Sequence, residues 1–263
     1  MTSDKKRSAL PWIIALSAVL AVGIIAVIAF VFGLRYTTLE NGVKFLGRVS
    51  GGAPVSGTAY YSDGSSAKFS AAEAKLVYDN GDVYLGATAL LLPSGEGEMT
   101  FSSGDSYKGG FLDGKQNGSG TMVYASGDTY AGEWKEGKRQ GQGIYTCPDG
   151  ASFTGYFADN MKNGTGTFKY ASGDVYEGSF TDDMKNGQGT YTWASGDVYV
   201  GAFVNDVREG QGTYTWANGD TYTGSFKNNQ LNGQGTYTWK TEEGDVARTY
   251  TGIFKDGMIS LEP

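Results

Sequence analysis

The chain has 263 residues, with 42 glycines, 18 tyrosines, 13 phenylalanines and a net charge of −7. So many rings exclude a disordered polymer, and the acidic balance argues against a surface that holds nucleic acid or anionic lipid by bulk charge. Histidine is absent and Cys147 is the single cysteine, which removes histidine-based triads, histidine metal ligands and any intramolecular disulfide.

Residues 1–10 are polar, with Lys5, Lys6 and Arg7 together, and read as a short cytoplasmic tail. Residues 11–34, PWIIALSAVLAVGIIAVIAFVFGL, contain no charge and are long enough to cross a bilayer as one α-helix. A cleaved signal peptide has a shorter apolar core and a small-residue cleavage site, and Phe30 to Arg35 offers no such site. Trp12 and Tyr36 suit the two interfaces. The basic cluster before the helix places the N-terminus in the cytoplasm and everything after the helix outside it.

Residues 35–75 read as a divergent N-terminal repeat or cap. Asn41 to Gly47 and Gly57 to Gly64 echo a pattern that becomes regular later, whereas Ser70 to Leu76 reads as a helical turn or an odd strand. From 76 to 239 one unit recurs every 23 residues. A turn glycine returns at Gly81, Gly104, Gly127, Gly150, Gly173, Gly196 and Gly219. Tyr-x-Gly follows at Tyr84, Tyr107, Tyr130, Tyr176, Tyr199 and Tyr222, with Phe153 in the remaining slot. Gly-x-Gly starts at Gly95, Gly118, Gly141, Gly164, Gly187, Gly210 and Gly233. A period of this length marks a repeat array. Two copies depart: Ala87 to Pro93 carries three leucines in place of an aromatic, and Cys147-Pro148-Asp149-Gly150 replaces the usual aromatic turn. Residues 240–263 contain an insertion, a last strand and a tail, and read as a C-terminal capping repeat.

Within one unit, Tyr222, Gly224 and Phe226 alternate with Thr221, Thr223 and Ser225. Gly233, Gly235, Tyr237 and Trp239 alternate with Gln234, Thr236 and Thr238. Strand side chains alternate between faces, so each unit predicts a β-hairpin with a glycine–aromatic face and a hydroxyl face. A ring lying over a glycine packs one face of a sheet without a second layer. The predicted fold is all-β: an elongated single-sheet array of antiparallel hairpins, preceded by one transmembrane helix. At about 10 Å of sheet per two-stranded repeat, seven repeats span about 70 Å.

The spacing Tyr-x-Gly-x-Phe, Gly-x-Gly-x-Tyr-x-Trp and Asn-Gly-Asp, as in Tyr222, Gly224, Phe226, Gly233, Gly235, Tyr237 and Asn218-Gly219-Asp220, resembles the MORN repeat family. The resemblance implies a repeat module for protein interaction, dimerisation or membrane association. Some members of that family carry kinase or methyltransferase domains beside the repeats, and no such domain fits in this chain.

No catalytic set stands out and no cofactor is expected. Asp82, Asp105, Asp128, Asp174, Asp197 and Asp220 recur singly, which suits closing a turn through its own backbone better than a calcium ladder. The Gly-x-Gly pairs lead into strands and not into the helix N-termini that bind phosphate. Lys135, Lys138 and Arg139 form one basic spot and read as a solvated loop. The expected binding surface is the aromatic face: Phe180, Tyr191, Trp193, Phe203, Tyr214, Trp216, Phe226, Tyr237 and Trp239. The leading expectation is a non-enzymatic, membrane-anchored scaffold that binds another protein, or itself, along that face. A lipid-headgroup module and a carbohydrate or cell-wall module are the alternatives. Beyond Arg35 the chain carries 17 basic against 27 acidic side chains, about −10, which opposes anionic lipid.

Overall fold

The computed structural model describes residues 33–240 and 247–260. The expected anchor, 11–34, lies outside the described residues except at its end, where Gly33 is in a turn and Leu34 opens a strand. No helix occurs among the described residues. The chain divides into two compact units, Met1–Ser102 and Ser103–Pro263.

The first unit contains β1 (Leu34–Thr38), β2 (Lys44–Ser50), β3 (Ala53–Tyr60), β4 (Ser66–Ser70), β5 (Lys75–Tyr78), β6 (Val83–Ala89) and β7 (Leu92–Thr100). Each strand pairs antiparallel with the next. Ser70 to Leu76 is neither one strand nor a helix: Ser70 ends β4, residues 71–74 form a turn and Lys75 opens β5. The three-leucine departure also has a physical reason. Leu90 (φ 50) and Leu91 (φ 64) form the two-residue loop between β6 and β7, both in the left-handed region that leucine rarely occupies. Leu91 is buried with Val43, Phe45 and Ala59. The Tyr61 hydroxyl donates to Leu91 O at 2.9 Å and the Asn41 amide to Leu90 O at 3.0 Å. Apolar burial and these two bonds offset a backbone cost of about 1–2 kcal/mol per residue.

The second unit runs through β8 (Ser106–Leu112), β9 (Lys115–Val123), β10 (Thr129–Lys135), β11 (Lys138–Thr146), β12 (Ser152–Ala158), β13 (Met161–Lys169) and β14 (Val175–Thr181). It continues through β15 (Met184–Thr192), β16 (Val198–Val204), β17 (Val207–Thr215), β18 (Thr221–Lys227), β19 (Gln230–Lys240), β20 (Ala247–Lys255) and β21 (Met258–Ile259). It too is an antiparallel meander, each strand bonded to its sequence neighbours. Two turn types alternate along it. Tight loops such as Asp182–Asp183 and Asn228–Asn229 hold both residues at positive φ, the geometry whose twist matches a β-hairpin. The wider turns end in a glycine, as where Gly173 (φ 92) donates to Tyr170 O at 3.0 Å. The connection from β19 to β20 is longer than its counterparts. Tyr237 nevertheless pairs with Tyr250 as Tyr214 pairs with Tyr222, so the register survives the extra length.

Glycine forms the spine of this unit. Gly166 pairs with Gly155 and Gly178, Gly189 with Gly178 and Gly201, and so on to Gly252. A ring lies over the pair within each hairpin, Tyr176 over Gly178 and Gly189 and Tyr199 over Gly201 and Gly212. A Cβ built on Gly189 would stand 2.5 Å from Tyr176 Cε2, so the ring rests on bare backbone. Its hydroxyl then donates to Ser179 O at 3.0 Å, and Tyr130, Tyr199 and Tyr222 make the same bond three residues on.

One expectation about faces fails. The first glycine of Gly-x-Gly does not share the aromatic face. Gly224 pairs with Gly235 but Phe226 pairs with Leu231, so Ser225 alone stands opposite Asn232, Gly233 and Gln234. This bulge puts Gly233 at φ 85 and aims its missing Cβ at Ser225 Cβ, 3.4 Å away on the hydroxyl face. Glycine is required there for its φ, and at Gly235 for the ring above it.

Candidate partner-docking face

The nine residues expected to form the aromatic face do share it, in two rows of different character. Phe180, Phe203 and Phe226 are 4%, 3% and 3% exposed and are not available to a partner. They alternate with the roofing rings in a continuous edge-to-face zigzag. Tyr176 touches Phe180 and Phe203, Tyr199 touches Phe203 and Phe226, and Tyr222 touches Phe226 and Phe254, with centroids 4.8–5.3 Å apart. This geometry adds about 0.5–1.5 kcal/mol per pair beyond area burial.

Tyr191, Trp193, Tyr214, Trp216, Tyr237 and Trp239 form the second row, and all six are half-buried. Trp193 contacts Tyr191 at 4.5 Å and Tyr214 at 5.2 Å, and Trp216 contacts Tyr214 at 4.7 Å and Tyr237 at 5.3 Å. Each ring is braced by its neighbours along the row while part of it stays open to solvent.

The phenols of this row are fixed by the carboxylates of the recurrent aspartates, whose main chain closes the turns as expected: Tyr170 N–H donates to Asp174 O and Trp193 N–H to Asp197 O, both at 2.9 Å. Asp174 accepts the Tyr191 hydroxyl at 2.9 Å and the Ala194 N–H at 2.8 Å, both from the following repeat. Asp197 does the same for Tyr214 (2.7 Å) and Ala217 (2.8 Å). The aspartate's own N–H faces a serine hydroxyl or asparagine oxygen two residues back. The Ala194 N–H and the Tyr191 hydroxyl hold the Asp174 carboxyl below its ordinary range. Burial, then the Asp197 carboxylate, pushes the Tyr214 phenol up to about 12. No group of three or more metal-ligating side chains occurs among the described residues.

A feature the sequence pattern did not single out lies between the two rows. Arg139, Lys162, Lys185 and Arg208 each sit over rings of both. Arg208 lies 5.3 Å from the Trp193 centroid, 5.5 Å from Tyr199 and 5.4 Å from Tyr214. Lys185 lies 5.1 Å from Tyr191 and 5.7 Å from Tyr176. The cations are anchored from the next hairpin loop. Lys162 Nζ meets Asp183 at 3.1 Å, and the Arg208 guanidinium donates to Asn229 O at 2.8 Å. Burial lowers the pKa of Arg208, against the neighbouring phenols. Arg139 therefore departs from its reading as part of a solvated loop, since it lies over Tyr130, Tyr145 and Phe157. Lys138 beside it fits that reading and pairs with Asp159 in the open. The signal was in the sequence: a basic residue recurs at 139, 162, 185 and 208, in phase with the rings.

Residues 92–242 match the MORN repeat model in seven consecutive segments: 92–106, 107–129, 130–152, 153–175, 176–198, 199–221 and 222–242. The chain belongs to the MORN-repeat family. From the second segment on, each MORN repeat opens on a roofing ring: Tyr107, Tyr130, Phe153, Tyr176, Tyr199 and Tyr222. One MORN repeat thus supplies a roof, a glycine pair and a second-row ring, and the next supplies the loop that anchors its cation.

No curated protein matches the chain. Among solved structures it is similar to the Drosophila melanogaster SAS-4 (dCPAP) TCP domain in complex with a proline-rich motif of Ana2 (dSTIL), at 14% identity, TM-score 0.33, covering 86% of this chain and 97% of that one. It is also similar to the Danio rerio CPAP TCP10 domain in complex with a STIL peptide, at 13% identity, TM-score 0.38, covering 83% and 99%. A streptogramin B lyase matches at 11% identity with a TM-score of 0.17, covering 86% and 85%. At these scores the likenesses transfer no function.

Proposed function

We propose that this MORN-repeat protein is a non-enzymatic scaffold that docks a protein partner along the half-open Tyr–Trp row of its second unit, and that residues 11–34 anchor it in a membrane with the array on the extracytoplasmic side. The supporting observation is the state of that row. Six large rings, Tyr191 to Trp239, pack against one another with centroids 4.5–5.5 Å apart, Lys185 and Arg208 lie over three of them, and all six remain partly open. Rigid aromatics of this kind dominate protein interfaces because little side-chain entropy is lost when they are covered. The Tyr191, Tyr214 and Tyr237 phenols are engaged in bonds to Asp174, Asp197 and Asp220, which supports a rigid binding surface. The uncharged run before Arg35 and the basic residues ahead of it support the anchor and its orientation.

In-cell photocrosslinking from position 216 tests the docking role. A discrete adduct to one other protein supports it, and an adduct only to the same chain makes the face a dimer contact. Lipid or glycan adducts, or none, refute it. The orientation is tested by an impermeant thiol reagent on intact cells, because Cys147 is the single cysteine and is partly exposed. Labelling only after the membrane is opened would reverse the proposed topology.

A further inference from the structure

The outermost aromatic slot recurs every 23 residues, at Tyr124, Cys147, Tyr170, Trp193, Trp216 and Trp239. Cys147 is the one member of this series without a ring. Its backbone is the same as in the other copies: Cys147 N–H donates to Ala151 O at 2.8 Å, and Gly150 N–H to Cys147 O at 3.0 Å. Tyr170 N–H donates likewise to Asp174 O at 2.9 Å, and Gly173 N–H to Tyr170 O at 3.0 Å. The slot therefore keeps its geometry and lacks only the ring.

The surroundings have changed in step. Phe168 stands where Tyr191, Tyr214 and Tyr237 recur, and Ala151 where Asp174, Asp197 and Asp220 recur, so apolar surface replaces the phenol–carboxylate bond. Lys185 lies over Tyr170 and Arg208 over Trp193, but the equivalent Lys162 contacts Phe153 and Phe168 and has Cys147 in the third place. What remains is a groove of about 440 Å³ lined by Arg139, Tyr145, Cys147, Phe153, Lys162 and Phe168, among others. That is within the range of pockets that take small organic groups, about 300–1,000 Å³.

We propose that this groove is a socket for one aromatic side chain of a protein partner, which completes the row at the place Cys147 leaves open; the inference rests on the docking role above. The array itself shows which chemistry fits. In the equivalent slots a Tyr or Trp ring packs on the next repeat's ring, Tyr170 on Tyr191 at 5.7 Å and Trp193 on Tyr214 at 5.2 Å. A ring entered beside Cys147 meets Phe168 in the same way. It also presents its π-face to the Lys162 ammonium, which Asp183 holds in place. Indole, the most electron-rich of the aromatic side chains, is the preferred occupant, ahead of phenol.

The test needs no variant at first. Burial and the neighbouring Asp128 push the Cys147 thiol above its ordinary range, so its alkylation by iodoacetamide is slow enough to follow at neutral pH. N-acetyl-tryptophanamide is the probe and N-acetyl-leucinamide the control, on the full-length chain. With the probe at twice its Kd, alkylation is expected to slow about threefold, since it tracks the unoccupied fraction. The leucine amide is expected to leave the rate unchanged. Cys147→Trp fills the socket from within, and calorimetry is expected to show the binding of the probe lost while the strand signature in circular dichroism is retained. Equal protection by both amides, no protection by either, or undiminished probe binding in a folded Cys147→Trp chain each overturn the socket. If Cys147→Trp does not fold, the alkylation rates decide alone. Probe binding without any crosslinked protein at position 216 would keep the socket as a site for an aromatic ring and overturn the protein partner as the source of that ring, together with the docking role.

Discussion

Substituting Gly189 by alanine isolates the contact on which the second unit depends. Gly189 has no left-handed φ, so alanine strains no backbone there. The added Cβ would instead stand 2.5 Å from Tyr176 Cε2 and Oη and 2.6 Å from Cζ, where about 3.5–4.0 Å is the comfortable separation of two carbons. The ring cannot retreat freely. It is held edge to face by Phe180 and Phe203, both at 5.1 Å, and by the hydroxyl bond to Ser179 O. Overpacking of this kind costs about 1–3 kcal/mol, and weakening the hydroxyl bond adds about 1 kcal/mol. Restricting the unfolded chain returns about 0.4–1 kcal/mol. The expected net loss is about 1–3.5 kcal/mol, read as a fall in the urea midpoint followed by circular dichroism. Gly150→Ala is the control, because no atom lies within 4 Å of its added Cβ and its cost comes from φ +91 alone, about 1–2 kcal/mol. If Gly189→Ala unfolds with the wild type, or Gly150→Ala proves the more damaging, rings do not rest on bare backbone as described.

The Leu90–Leu91 loop predicts opposite signs at adjacent positions. Leu90→Gly relieves φ 50 at an exposed site and is expected to stabilise the first unit by about 1 kcal/mol, whereas Leu91→Gly empties the core beside Phe45 and costs about 1–3 kcal/mol net; limited proteolysis with residue-specific hydrogen exchange separates the units. Alkali is expected to unfold the second unit. Burial raises the phenols of Tyr130, Tyr176 and Tyr199 to about 12, so the stability they contribute is complete below the unfolded value near pH 10 and is lost as pH rises through about 12; Tyr176→Phe should make that loss shallower in a pH-dependent melt. Acid acts in the opposite sense through Asp174. Its lowered carboxyl contributes stability above the unfolded pKa that is lost as pH falls, and Asp174→Asn should flatten the acid limb of the same curve.

Much of this was legible in the residues because strand periodicity and the 23-residue repeat reinforce each other. Tyr222 and Gly224 give their face by alternation alone, and the covering of Gly235 follows from a ring beside a residue with no side chain. Three things were missed, each for a reason. Gly233 leaves the aromatic face because a bulge changes the local count, and a glycine required for φ looks the same in sequence as one required for space. The partners of Asp174 and Asp197 lie 17 and 20 residues ahead, so a reading confined to one turn assigns them to their own backbone. The cations over the rings read as solvated because charge normally is. Only the hairpin loop of the next repeat, brought close by the fold, shows that Lys162 and Arg208 are held between rings.

The pairing of Tyr237 with Tyr250 across a lengthened connection has a consequence for how such chains can grow. Extra residues at a hairpin tip leave every ring on its glycine. One residue added within a strand, unless a further bulge absorbs it, would move the later rings of that strand to the opposite face. Viable changes of length are therefore of two kinds: additions at the tips, and duplication or deletion of whole 23-residue units. A gene for this protein can lengthen by unequal recombination between its own repeats without redesigning a single contact. By the same rule, a foreign peptide spliced between residues 240 and 247 would leave the pairing of Tyr237 with Tyr250 in place.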